Sequence, residues 1–209
     1  MFQELYNIKK GRYYLFLTVM TVIFAYFTNI YLSKNLWYNI LQEQFTTWQI
    51  NLIMQKVSAW QYFGYPALPF IILIRVFYTA FGLYVGNLFQ EYKWEWKQLF
   101  NIALKADIVF LFAAAIGFCY YVFVNPPQTL DDINVNFVSV LALIGHENVS
   151  NWLMPAYNVL NLFELLYIIV LTTFISQILK LKYWKSFLFV VICYGLSVYF
   201  YIAALLLYY

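Results

Sequence analysis

Two charged side chains stand inside runs that otherwise exclude charge. Arg75 lies in PFIILIRVFYTAFGLYVG and Glu164 lies in NVLNLFELLYIIVLTTF. An ionisable group in an apolar medium costs several kcal/mol unless it is paired or wetted, so position alone makes each a functional-site candidate. An ion pair between them is the expected arrangement, because pairing is the cheapest way to keep either charge there. Such a pair can do one of two things. It can fix the register of two helices, or it can line a polar cavity for a solute or proton.

The other reactive residues form no recognisable set. His146 and Glu147 share a segment with Asp131 and Asp132, but HENVS is not HExxH and the spacing fits no metal motif. Cys119 and Cys193 sit in hydrophobic runs and read as small core residues, not as a disulfide or metal pair. Asn148-Val149-Ser150 matches the glycosylation pattern, which is frequent by chance. There is no Walker loop, no Rossmann glycine run and no nucleophile elbow. The expectation is therefore a non-enzymatic protein with no metal and no cofactor. The few basic residues give no support to nucleic-acid binding.

The surrounding elements must be membrane helices by composition. Of 209 residues, 65% are hydrophobic and 10% charged, and the mean hydropathy is +0.70. A soluble domain of this length could not hide that much apolar surface, so the lipid bilayer is the expected surroundings. Spanning about 30 Å of hydrocarbon takes about 20 apolar residues. By that measure the chain is one all-α membrane domain, 1–209, with five spans: about 13–32, 66–90, 106–124, 153–179 and 186–208. The N-terminal stretch reads as a retained first span, since its apolar run is too long for a signal core and lacks a small-residue cleavage site.

On this reading Arg75 and Glu164 are equally deep. Each lies about 14–16 Å below the outer surface, counting residues from Pro66 and Leu153 at 1.5 Å per residue. Asp107 is expected at the cytoplasmic mouth of span three, too shallow to join them. Polar and small residues share the faces of both charges. On span two Thr79, Gly82 and Gly86 follow Arg75 at helical spacing, the glycines forming GxxxG. On span four Asn161 and Thr172 accompany Glu164. These stripes read as helix-packing faces.

One or two further helices are expected at the membrane surface. Residues 36–60 place Trp37, Leu41, Phe45, Trp48, Leu52 and Trp60 on one face among polar residues. That suits a helix lying on the surface or packed on its own spans. EYKWEWKQLF, 91–100, alternates charge and aromatic residues and reads as the start of an interfacial helix. Residues 135–144 are apolar but too short to cross, so they are re-entrant or interfacial. Lysine and arginine set the orientation. Lys9, Lys10, Arg12, Lys93, Lys97, Lys105, Lys180, Lys182 and Lys185 fall on one side, against Lys34 and Lys56 on the other. That asymmetry puts the N-terminus in the cytoplasm and the C-terminus outside. Lysine far outnumbers arginine, a bias that points to an AT-rich bacterial genome and so to a bacterial inner membrane.

From residue 91 onward the layout resembles the Yip1 family. The carriers are YKWEWKQLFNIALKADIVFLF, a charged amphipathic lead into a middle span, and NLFELLYIIVLTTFISQILKLKYWKSFLFVVICYG, where a short basic loop joins the last two spans. The resemblance implies five spans and carries over no catalytic residue. Eukaryotic members of that family have a cytosolic N-terminal region that works with small GTPases in vesicle trafficking; here only residues 1–12 precede the first span. The expected function is that of an accessory or assembly subunit of a larger membrane complex, with protein partners in the membrane, or a membrane organiser. The alternative is a small transporter or channel using Arg75 and Glu164.

Overall fold

The computed structural model describes residues 6–33, 36, 41, 45–90, 92–127, 132 and 135–208. The described chain is all-helical. Eight helices carry the architecture: α1 Lys10–Thr28, α2 Thr47–Phe89, α3 Trp96–Ala106, α4 Ile108–Phe123, α5 Val140–Ile144, α6 Met154–Val159, α7 Leu162–Ile178 and α8 Tyr183–Tyr208. A π-helical turn, Asn29–Ser33, extends α1. Four stretches are long and apolar enough to cross a membrane: Lys10–Tyr31, Gly64–Phe89, Trp96–Phe123 and Tyr183–Ala204. A fifth apolar helix, Leu162–Ile178, has 17 residues.

Three element boundaries differ from the sequence expectation, and each has a local cause. The first is α2, a single helix of 43 residues, about 65 Å long at 1.5 Å per residue. The segment expected as a separate surface helix supplies its first turns from Thr47 onward. Its start is set by Gln49, whose Oε1 accepts from the Thr46 N–H at 3.0 Å. Pro66 and Pro69 lie inside this helix and do not end it. Prolines are tolerated within apolar helices where neighbouring groups compensate, so the helix runs on ahead of Pro66, while the stretch apolar enough to cross a membrane, Gly64–Phe89, stays close to the expected 66–90. Trp37 and the side chain of Trp60 lie outside the described residues.

The second is the third apolar stretch, which begins at Trp96 and not near residue 106. Glu95 stands just before the helix, and its N–H donates to Gln98 Oε1 at 3.2 Å. Helix α3 is not at the surface. Leu99, Ile102 and Ala103 are fully buried, between α2 and α7 on one side and α1 on the other. The helix is interrupted only at Asp107 before α4 continues.

The third is the expected span 153–179, which is broken. Helix α6 ends at Val159 and α7 begins at Leu162. Between them the chain is extended and pairs with residues 138–140: Val140 N–H donates to Leu160 O at 2.9 Å and Leu162 N–H to Val138 O at 3.3 Å. Two asparagines make the break. Asn158 Oδ1 accepts from the Asn136 N–H at 2.7 Å. Asn161 caps α7, its Oδ1 accepting from the Glu164 N–H at 3.1 Å. Residues 135–144 therefore fold down against the broken segment, with α5 packed on α6. Asn161→Ala is expected to lower stability by about 1 kcal/mol, the usual loss for a removed cap. Thermal unfolding of the purified variant measures it. An unchanged midpoint would mean that the capping bond contributes nothing.

The core lies where α2, α3, α7 and α8 meet. Leu83, Leu99, Tyr167, Leu171, Phe174 and Val190 are wholly buried there. A second cluster joins α1 to α2 and α3 through Tyr13, Leu17, Ile72, Val76 and Leu104.

Candidate functional site

Arg75 projects from α2 toward the α3–α4 junction. Its Nε donates to Asp107 Oδ1 and its Nη2 to Asp107 Oδ2, both at 2.7 Å. This is the two-pronged guanidinium–carboxylate arrangement, the strongest geometry available to an ion pair. Asp107 is 2% exposed and the Arg75 side chain 36%. The guanidinium also sits 4.0 Å from the centroid of the Phe110 ring, one turn along α4.

The expected Arg75–Glu164 pair is thus replaced by Arg75–Asp107. The reason is the start of α3. Because that helix begins at Trp96, Asp107 lies about 17 Å into the apolar stretch, not at its mouth. Arg75 lies about 21 Å from the adjoining end of α2, so the two meet at one level.

Glu164 has a different partner. Tyr194 of α8 donates its hydroxyl to Glu164 Oε2 at 2.6 Å. Among the described residues no lysine or arginine is in ion-pair contact with this carboxylate. Glu164 occupies the first turn of α7, above Asn161. The turn's free N–H groups favour a negative charge there.

Aromatic rings connect the two halves. Tyr167, wholly buried, lies between Phe110 at 4.9 Å and Tyr194 at 5.2 Å between ring centroids. Its hydroxyl donates to Thr79 Oγ1 of α2 at 3.3 Å. The cluster thus runs from Arg75 and Asp107 through Phe110, Tyr167 and Tyr194 to Glu164. It holds one cation and two acids contributed by α2, the α3–α4 junction and α7. Comparison with family models, with curated proteins and with solved structures gives no match. The cluster must therefore be interpreted from its own chemistry.

Gly82 and Gly86 lie against α8. A Cβ at Gly82 would meet the Ser197 hydroxyl and, at 3.1 Å, the Cys193 carbonyl; one at Gly86 would meet the Cys193 thiol and Phe189. The GxxxG step therefore faces α8. Thr79 faces α7 instead, through Tyr167. Thr172 is wholly buried and donates its hydroxyl to Ile168 O at 2.8 Å within its own helix. Asn161 is a cap, not part of a continuous helical stripe. Of the two cysteines, Cys193 is buried and Cys119 is exposed. Asp131 lies outside the described residues, and Glu147 is exposed.

Lys105 differs most from its expected place in a basic loop. It is fully buried in α3. Its Nζ donates to Ile8 O at 3.0 Å and stands 3.7 Å from the centroid of the Tyr13 ring. Tyr13 in turn donates its hydroxyl to Lys105 O at 2.8 Å. The lysine fastens the segment before α1 to the bundle, so its charge is not free to mark a loop.

Sequence reasoning placed Asp107 too shallow and missed Phe110, Tyr167 and Tyr194. The spacing Glu95-x-x-Gln98 was the available signal for Asp107, since a capping pair there moves the helix start upstream. Asn161-x-x-Glu164 was the corresponding signal for the broken helix. The tyrosines carried none, being two among 21.

Proposed function

We propose that the chain is an integral membrane protein whose five apolar helices cross the bilayer, and that it acts without catalysis, as an accessory or assembly subunit of a larger membrane complex or as a membrane organiser. A Yip1-like architecture, a bacterial inner membrane, a cytoplasmic N-terminus and an outer C-terminus belong to the same proposal. The observation that carries it is the outward face of α2. Phe70, Ile74, Phe77 and Phe81 recur at helical spacing, each more than half exposed. In water this stripe would be a large unprotected apolar surface; lipid or another membrane protein is its natural cover. Mild-detergent purification from the native membrane, followed by mass-spectrometric identification across one size-exclusion peak, tests the subunit reading. A stoichiometric partner supports it. A lone monomer or homo-oligomer contradicts it.

A second reading, a small transporter or channel, is favoured by one observation: the carboxylate of Glu164 has no cation partner among the described residues. A water-filled path past it would expose single cysteines placed at Arg75, Thr79, Asn161 and Glu164 to polar thiol reagents. Unreactive thiols at all four positions in well-expressed protein would exclude that path.

A further inference from the structure

We propose that the space between α2 and α8 holds one acyl chain of an anionic phospholipid, with the phosphate at the Lys93 and Lys185 end. The inference deepens the integral-membrane reading and rests on α2 and α8 crossing the bilayer. Its basis is an apolar cavity that runs into a field of positive charge. The cavity has a volume of about 430 Å³. Phe81 and Phe89 of α2 and Leu196 and Phe200 of α8 form its walls, each more than half exposed. From Tyr78 to Gln90 it follows α2 for about 18 Å at 1.5 Å per residue. The hydrocarbon of one leaflet is about 15 Å thick, so a lipid tail matches that length. Spread over it, the space is too narrow to take in a second helix, which is about 10 Å across.

The two ends of the cavity differ. Near one end the Tyr78 hydroxyl donates to Ser197 O and ties α2 to α8. At the other, Gln90 terminates α2 and the chain that follows lies on α8. The Tyr92 and Trp94 ring centroids are 5.9 and 5.2 Å from that of Phe189. This contact brings Lys93 to the start of α8. There Lys185 stands one turn before Phe189 and two before Ile192, on the side of the helix that lines the cavity. Lys93, Lys97, Lys180, Lys182 and Lys185 are all exposed. Within 92–97 and 180–186 the one acid is Glu95, Glu91 lying outside the described residues. Such a cluster beside an apolar span attracts anionic headgroups. A zwitterionic lipid fills the cavity equally well but gains much less from the lysines, so charge is what selects the occupant.

Dioleoyl phosphatidylglycerol and dioleoyl phosphatidylcholine test this, since they share their tails and differ in headgroup charge. Full-length protein, stripped of lipid in a mild detergent, is melted with each at equal mole fraction. Phosphatidylglycerol should raise the midpoint more, and the difference should shrink as salt rises. Lys93→Gln with Lys185→Gln should bring the phosphatidylglycerol shift down to the phosphatidylcholine one. Leu196→Trp, which fills the cavity from an exposed position, should abolish both shifts. Glycerol 3-phosphate, a headgroup without tails, should shift nothing. A shift equal to that of the lipid would make this a free phosphate site and overturn the lipid. Equal shifts by the two lipids in the unaltered protein would overturn the charged end. A phosphatidylglycerol preference that survives in the lysine variant would overturn the location; both positions are exposed, so that variant does not depend on repacking the bundle. No shift with either lipid would overturn the site as a whole. The integral-membrane reading fails with it only if the protein also stays monodisperse once detergent is removed.

Discussion

Asp107→Leu is expected to lower stability by about 3 kcal/mol, the low end of the range for breaking a buried pair, because the Arg75 side chain that loses its anion is 36% exposed. Asp107 is nearly inaccessible and takes both prongs of Arg75. With it gone, the guanidinium keeps only the face of Phe110. Arg75→Met should cost a similar amount, because it strands a carboxylate with 2% exposure. The informative comparison is the double variant. Replacing both members of a buried pair by apolar residues of similar size is often close to neutral, so Arg75→Met with Asp107→Leu should recover most of what either single change loses. Exchanging Arg75 and Glu164, by contrast, should rescue nothing. Thermal midpoints of the four proteins in one detergent decide the matter. Losses that simply add in the double variant would show that the two side chains do not form a pair.

Gly86→Leu is expected to cost about 1–3 kcal/mol or more, the range for forcing extra atoms into a packed interface. The position faces Cys193 and Phe189 of α8, with Cys193 Cβ at 3.2 Å from where a Cβ would sit. Gly82→Leu should act in the same way against Ser197 and the Cys193 backbone. Both push α8 away from α2, and with it Tyr194, so the Glu164 hydrogen bond is strained in the same step. Gly64→Leu is the matched control, since a Cβ there meets nothing within 4 Å. Equal effects at Gly64 and Gly86 in thermal unfolding would mean that the loss comes from glycine replacement in general and not from close approach of α8.

Some of this arrangement was legible in the sequence because the signal was large. A charge in an apolar run stands out, which is why Arg75 and Glu164 could be singled out without any structure. Partner choice was not legible, because it depends on depth, and depth depends on where each helix starts. A boundary placed at residue 106 instead of Trp96 moved Asp107 by about 15 Å along the helix axis. That error alone removed the true partner of Arg75 from consideration. Pro66 marked the apolar span, Gly64–Phe89 against the expected 66–90, but not the start of the helix at Thr47, since proline suits a first helical turn as well as a tolerated interior position. The GxxxG step announced a close approach but could not say to which helix; the answer is α8. Tyr167 and Tyr194 were hidden by abundance. In a chain with 21 tyrosines, only burial and hydrogen bonding separate two of them from the rest.

The central claim is that the Arg75, Asp107 and Glu164 cluster lies within helices that cross a membrane, α7 included. Epitope tags at the two ends of this chain, probed in intact and in permeabilised cells, test it most directly. Five crossings place the ends on opposite sides, with the C-terminal tag reached in intact cells and the N-terminal tag only after permeabilisation. Both tags on one side would mean four crossings. Leu162–Ile178 would then lie outside the bilayer, and Glu164 would not be an intramembrane acid.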